Sequence, residues 1–205
     1  MAPGSGGERL EIAVLPADGG AAVALGSFLN AAWPEWSPSG HTIAFTSLGE
    51  VSPTWLVSRD SISGPWHDPV HLTDFDCYVR DWAPDGSGVL CESPTRLELD
   101  LVSPTGTVLW RDELAARRRL TPVAKIELQS ARYSRDGSTI YLAAVRGDGQ
   151  SGVWAIPVNG GEARLVIAFD DPAVVAPGFL SVGPDRLYLT VSEYESDVWV
   201  MSLRY

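Results

Sequence analysis

Short apolar segments alternate with turn residues along the whole chain. Four of these segments are rich in β-branched and aromatic side chains, and they lie at residues 42–46, 88–92, 139–143 and 186–190. Their length and composition predict short β-strands. Few stretches show the spacing of an amphipathic helix, so the pattern predicts an all-β fold.

A turn motif precedes each of these strands. It reads Trp-Ser-Pro-Ser-Gly at 36–40, Trp-Ala-Pro-Asp-Gly at 82–86 and Tyr-Ser-Arg-Asp-Gly at 133–137, with an altered form at 180–185. Proline presets the backbone for a turn, aspartate bonds to its own backbone, and glycine supplies positive φ. Each motif therefore predicts a tight hairpin whose first strand ends in a large side chain.

The motifs recur with a period near 47 residues, since their starts lie 46, 51 and 47 residues apart. A second element, an apolar strand followed by Pro and an Asp-Gly-Gly or Asn-Gly-Gly turn, occurs at 12–20 and 153–161. The prolines of this element are 141 residues apart, or three periods of 47. Each repeat thus holds four short antiparallel strands, which is the content of one β-propeller blade. A β-sandwich would lack the fixed period.

The repeat divides the chain into a flexible start at 1–8 and a β-propeller at 9–205. Residues 9–25 supply only the last two strands of a blade. Blades are predicted at about 31–72, 77–110 and 126–167, and a last blade, at about 174–203, has only its first three strands. This count does not close a ring, because the final blade lacks only its fourth strand. We favour the C-terminal part of a larger propeller, of roughly six to eight blades. The alternative is a compact ring of four blades in which residues 9–25 fill the gap.

Net charge excludes several partner classes. Fifteen basic and 26 acidic residues give a net charge of −11, which is unfavourable for a nucleic-acid backbone or an anionic membrane surface. No apolar run is long enough to span a membrane, and residues 1–7 lack the order of a signal peptide. An open sheet edge at each end of the array carries a risk of dimerisation.

The two cysteines are Cys77 and Cys91. If one hairpin turns near Asp85 and Gly86, Cys91 lies opposite about residue 80, and the cysteines are out of register. This register predicts two reduced, buried thiols rather than a disulfide.

The Trp-Ser-Pro-Asp-Gly-like hairpins, each followed by a Trp-containing strand and a Gly-Gly turn, resemble the TolB-type bacterial propeller repeats, which are WD-repeat-like. The resemblance covers residues 9–203. Such repeats occur in periplasmic TolB, in prolyl-oligopeptidase-like peptidases and behind bacterial serine/threonine kinase domains. The ending at 187–201 is most similar to the last blade of the kinase-linked group. The resemblance implies a sensor or scaffold role and an extracytoplasmic location.

Catalytic and metal motifs were sought along the chain. It contains no Gly-x-Ser-x-Gly, no Gly-x-x-x-x-Gly-Lys-Ser/Thr phosphate loop, and neither of the kinase motifs His-Arg-Asp and Asp-Phe-Gly. His67 and His71, with Asp74 and Asp76 nearby, form the single metal-like cluster, and their place in an outer strand and its loops favours ordinary surface residues. No catalytic residue, metal or cofactor is therefore expected.

Binding in a propeller depends on loops carried by the rigid sheets. The loops that join one blade to the next, and those between second and third strands, share one face around the channel. On this face the sequence places six acidic residues: Asp74, Asp76, Asp170, Asp171, Glu193 and Glu195. They predict an acidic face that favours a basic peptide or protein.

The leading functional hypothesis is therefore a non-catalytic propeller that binds a protein or peptide. The alternative is the propeller portion of a larger enzyme, either a receptor-type serine/threonine kinase or a prolyl-oligopeptidase-like hydrolase with its catalytic domain elsewhere.

Overall fold

The computed structural model describes residues 10–25, 30–93, 98–105, 108–112, 126–146, 151–171, 174–175 and 179–193. All regular structure within these ranges is β-strand, and none of these residues belongs to a helix able to cross a bilayer. The predicted flexible start at 1–8 and the end of the last predicted blade, after residue 193, lie outside the described residues.

Three sheets of four antiparallel strands form the body of the chain. Blade 1 contains β3 (Ala31–Trp36), β4 (Thr42–Ser47), β5 (Thr54–Ser58) and β6 (Val70–His71). Blade 2 contains β7 (Tyr78–Trp82), β8 (Val89–Ser93), β9 (Glu98–Val102) and β10 (Val108–Asp112). Blade 3 contains β11 (Ile126–Tyr133), β12 (Thr139–Arg146), β13 (Ser151–Pro157) and β14 (Arg164–Phe169). Each strand pairs with the next one in sequence, as predicted for propeller blades.

Shorter pairs flank the three blades. The first hairpin pairs β1 (Ala13–Val14) with β2 (Val23–Ala24). In the last hairpin, β16 (Leu180–Val182) pairs with β17 (Leu187–Leu189), and β15 (Val174–Val175) pairs with β18 (Ser192–Glu193) further along. Within the described residues these ends are therefore partial blades.

The turn motifs occupy equivalent places in the three blades. Gly40, Gly86 and Gly137 have φ values of 71°, 74° and 72°. The amide of each glycine donates to the carbonyl three residues earlier, at 2.8 to 2.9 Å. An L side chain is strained at this φ, so the repeated glycine specifies the turn.

The apolar core lies between successive sheets rather than inside any one of them. Ile43 and Phe45 of blade 1 pack with Ile12 of the first hairpin, while Ala44 and Trp82 belong to the cluster between blades 1 and 2. Further clusters lie between blades 2 and 3 and between blade 3 and the last hairpin. The five units therefore follow one another like the sheets of a propeller.

Cys77 and Cys91 form a disulfide, with Cα atoms 5.2 Å apart, so the prediction of two reduced thiols is wrong. The cause is a bulge at Arg80: Val79 pairs with Cys91, whereas Asp81 pairs with Leu90. Because of the extra residue, the partner of Cys91 is Val79 rather than Arg80. Cys77 is two residues from Val79, so its side chain is on the same face of the sheet as that of Cys91. Both cysteines are fully buried, as expected.

Polar groups at Cys77 join blade 1 to blade 2. The carbonyl of Cys77 accepts bonds from the hydroxyls of Thr54, at 2.7 Å, and Thr46, at 3.2 Å. Thr46 Oγ1 also accepts from the amide of Val79 at 3.0 Å. Both threonines are fully buried, so this seam satisfies polar groups that would otherwise be costly to bury.

Candidate functional site

The first strands of the blades surround the channel. Strand β3 contacts β7, β7 contacts β11, and β11 contacts β16, so these strands follow one another around a common axis. At the end where they enter their turns, they enclose an open cavity of about 880 Å³. Its rim carries Pro38, Pro84 and Pro184, from the turns of blade 1, blade 2 and the last hairpin. This cavity is the channel mouth.

In each complete blade, a charged residue directly precedes the large aromatic residue at the end of the first strand. Glu35, Asp81 and Arg132 stand before Trp36, Trp82 and Tyr133 respectively. All three charged residues line the channel mouth. The repeat thus places charges from three blades around one cavity.

An ion pair crosses the channel mouth from blade 3 to blade 1. Arg132 Nη2 lies 2.6 Å from Glu35 Oε1, and Arg132 Nε donates to the carbonyl of Leu180 in the last hairpin at 3.2 Å. Arg132 Nη1 is buried and has no hydrogen-bond partner in the described part of the chain. One side chain therefore links three blades.

Asp81 joins blade 2 to blade 3 through backbone groups. Its Oδ1 accepts from the amide of Trp82 at 2.9 Å, and its Oδ2 accepts from the amide of Tyr133 at 2.8 Å. The indole of Trp82 in turn donates to the carbonyl of Glu35 at 3.0 Å. The polar groups of the mouth are thus held in place by bonds between blades.

Burial controls the titration of these carboxyl groups. Desolvation raises the pKa of Asp81 above its ordinary 3.8, against the opposing effects of two backbone amides and Arg132. It also raises the pKa of Glu35 above 4.5, although Arg132 favours the carboxylate. Desolvation also raises the pKa of Glu92 above its ordinary 4.5, because it outweighs the opposing effect of Arg80.

These shifts predict greater stability at mildly acidic pH. A carboxyl whose pKa is raised by folding contributes stability below its ordinary pKa, and this contribution is lost as pH rises through the raised value. We therefore expect a higher melting temperature near pH 4.5, at the upper end of the ordinary values, than near neutral pH. About 0.5 M salt should reduce the general repulsion from the net charge while leaving the buried contribution. A melting temperature that falls between these pH values on acidification would contradict the prediction.

Aromatic side chains lie further along the first strands. Strand β3 has a bulge between Ala32 and Glu35, where Trp33 adopts a φ of 51°, a left-handed value that bulky side chains rarely adopt. The ring of Trp33 lies 4.8 Å from that of Tyr78, and Arg80 lies 5.5 Å from the Trp33 ring centre. Arg80 also forms a short ion pair with Glu92, at 2.6 Å. The bulge thus directs the half-exposed Trp33 towards blade 2.

The predicted acidic residues whose side chains the structure describes, Asp74, Asp76, Asp170 and Asp171, do not line the channel mouth. Asp74 is exposed and Asp76 half-buried in the loop before β7, where Asp76 Oδ1 accepts from the amide of Ser52 at 2.8 Å. Asp170 and Asp171 are exposed directly after β14. The backbone of Glu193 forms part of β18, and Glu195 lies outside the described residues. The Asp76–Ser52 bond joins an interblade loop to a β4–β5 loop, but the role of the group in binding stays a prediction.

The metal-like histidines have other contacts. His67 Nε2 lies 3.1 Å from Asp60 Oδ1, and the ring of His71 packs edge-on against Trp55 at 4.8 Å. Among the described residues, no three His, Cys, Asp or Glu side chains are arranged to hold a metal ion.

Sequence reasoning missed the channel-mouth charges. It used Trp36, Trp82 and Tyr133 as anchors without considering the residue before each of them. A charged residue at the same place in three repeats is a signal that could have identified the site, because equivalent positions in neighbouring blades face a shared axis.

Comparison with solved structures identifies the architecture. A TolB protein from Agrobacterium tumefaciens has a TM-score of 0.66 to this chain and is 16% identical; the match covers 91% of this chain and 66% of that protein. The fold is a TolB-like β-propeller. The chain spans slightly less than two thirds of that relative, in agreement with a fragment of a larger propeller.

Two further structures share the propeller fold at similar distance. The periplasmic gluconolactonase of Pseudomonas aeruginosa has a TM-score of 0.54 and 15% identity, with 91% of this chain and 61% of that protein covered. A protein from Lactobacillus plantarum has a TM-score of 0.50 and 16% identity, with 93% and 65% covered. No model of a known protein family and no curated protein matches the chain. At these identities the likeness extends to the fold alone.

Proposed function

We propose that this TolB-like propeller is a non-catalytic module that binds a protein or peptide. The observation that carries the proposal is the channel mouth, an open cavity of about 880 Å³ whose charged groups are already fixed by bonds between blades. Groups held before binding lose little conformational entropy when a ligand arrives. The Arg132 side chain, which is 27% exposed, presents positive charge to a carbonyl or carboxylate of the ligand.

The chemistry of the cavity supports binding rather than catalysis. Its described lining contains no cysteine or histidine, and its two carboxyl groups already bond Arg132 and backbone amides. Ser134 donates to Asp136 at 2.6 Å, but bonds from Ser134 and Ser138 hold the pKa of this carboxyl below its ordinary 3.8, which makes it a weak general base.

A random peptide library displayed on phage tests this proposal. We expect selected peptides to bind in solution. Each peptide should lose at least about tenfold in affinity in one of two variants: Arg132→Met, which changes the channel mouth, or Asp170→Lys/Asp171→Lys, which reverses the charge of the acidic loops. For a basic peptide, the second variant should mainly slow association at low salt. Melting curves of both variants control for folding. Failure to select any peptide, or equal binding to the wild type and both variants, would refute the proposal.

The alternative is that the propeller belongs to a larger enzyme. A kinase-linked parent is suggested by the sequence at 187–201, and the periplasmic gluconolactonase is a propeller neighbour that is itself an enzyme. The coding sequence on either side distinguishes a kinase or hydrolase parent. For this chain itself we expect gluconolactone hydrolysis at the buffer rate; turnover above that rate would favour the enzyme.

We also propose that the protein works outside the reducing cytoplasm. The support is the buried Cys77–Cys91 disulfide, because disulfides persist mainly in oxidising compartments. This location agrees with the extracytoplasmic role implied by the sequence resemblance.

A further inference from the structure

A second cavity continues from the channel mouth towards the outside of the propeller. It has a volume of about 540 Å³ and lies between blade 3 and the last hairpin. Both cavities are lined by Ser134, Arg135 and residues 182–184, so they form one continuous depression. We call this depression, from Arg132 at the channel mouth to Arg164 on β14, the arginine groove.

Most of the described basic side chains lie along this groove. The structure describes six arginine side chains and no lysine side chain. Four line the groove: Arg132, Arg135, Arg164 and Arg186. The other two, Arg59 and Arg80, lie against tryptophan rings. Such clustering is unexpected in a chain with a net charge of −11.

Four carboxyl groups also face the groove, and each has a donor of its own. Glu35 pairs with Arg132, and Asp81 accepts two backbone amides. Asp136 accepts from Ser134 and Ser138 within its turn. Asp185 lies 3.5 Å from Arg186.

Two groove arginines remain without an acidic partner. Arg135 and Arg164 are exposed and have no carboxylate within ion-pair distance in the described ranges. Planar guanidinium groups pair well with carboxylates. The unpaired donors therefore favour an acidic ligand.

The shape of the groove selects an extended ligand. It runs between two sheets, and apolar parts of Tyr141, Val166 and Leu187 lie among the arginines. An extended peptide points successive side chains to opposite sides, so it can alternate acidic and small apolar contacts. A single small anion would use only one end of the groove.

We propose that the arginine groove binds an acidic, extended peptide segment of a partner protein. Its carboxylates pair with Arg135 and Arg164, and one end of the segment reaches the channel mouth at Arg132. This inference rests on the proposed binding function and adds a ligand chemistry opposite to that predicted for the acidic loops. The two faces of the propeller would then bind segments of opposite charge.

Two labelled peptides of equal length test the inference by fluorescence anisotropy, one alternating Glu with Ala and one alternating Lys with Ala. We expect the Glu peptide to bind the wild type, and Arg135→Glu/Arg164→Glu to weaken this binding at least about tenfold at low salt. Leu15→Glu/Ile62→Glu is the control, because it also adds negative charge, but at exposed positions outside both cavities, and it should leave Glu-peptide binding nearly unchanged. Both arginines are exposed, so the melting temperature should stay near that of the wild type.

Three results would overturn the inference. They are no binding of the Glu peptide, unchanged binding by the arginine variant, and full competition by millimolar inorganic phosphate, which would indicate a simple anion site. If library peptides bind with an affinity that the Arg135→Glu/Arg164→Glu variant does not change, the proposed role of the groove is wrong, but the proposed function still holds. A library that yields no binder at all would refute the function itself.

Discussion

Replacing both Cys77 and Cys91 with alanine is expected to lower the free energy of unfolding by about 3 kcal/mol. The two residues are 14 apart in sequence, and the crosslink restricts the unfolded chain over that loop. For a chain of this size, the loss corresponds to a fall of roughly 6–12 °C in melting temperature. Urea unfolding and calorimetry under non-reducing conditions measure the effect.

Thiol labelling provides the control for this prediction. Denatured wild-type protein should react with iodoacetamide at neither cysteine before reduction and at both afterwards. Reduced wild-type protein should unfold with the midpoint of the double variant, within the small difference caused by the lost sulfur atoms. Equal stability of the oxidised wild type and the double variant would be inconsistent with a stabilising crosslink.

Replacing Asp81 with alanine is expected to cost about 2 kcal/mol. The substitution removes the acceptor of two backbone amides, those of Trp82 and Tyr133, at the boundary between blades 2 and 3. Asp81→Asn should cost less, because one oxygen can still accept a bond while the amide nitrogen cannot.

The matched control for Asp81 is Asp85 of the same hairpin. Asp85 is exposed and accepts from Ser87 within its turn, so Asp85→Ala should have a smaller effect on urea unfolding. Asp81→Ala should also reduce the gain in stability on acidification. If the two variants unfold alike, the interblade role of Asp81 is wrong.

Local turn chemistry made the fold predictable from sequence. Gly40, Gly86 and Gly137 recur where the turn requires positive φ, and the strands that follow them are short and β-branched. These signals depend on neighbouring residues only, so they are visible without a structure. The fixed spacing then distinguishes a propeller from other all-β folds.

The disulfide was not predictable because it depends on a single bulge. Arg80 is the extra residue in β7, and nothing in its immediate sequence marks it as unpaired. One inserted residue reverses which side chains share a face. The sequence argument, which assumed regular pairing, therefore placed Cys77 and Cys91 too far out of register for a disulfide.

The channel mouth was missed for a different reason. Arg132 pairs with Glu35 two blades away, and Asp81 binds the amide of Tyr133, which is 52 residues distant. Local patterns contain no information on such partners. The acidic loops could be proposed from their charge and their place between strands. Finding the channel mouth also needs the knowledge of which side chains of neighbouring blades meet at the axis.

The seam at Cys77 has a consequence for how the molecule opens. In repeat proteins, each unit is usually stabilised only by contacts with its neighbours, so a single blade could unfold by itself. Here Thr46 and Thr54 of blade 1 both bond the carbonyl that begins blade 2, and both are shielded from water. Separating these blades would expose several polar groups at once, so their amides should exchange hydrogen in a single cooperative event.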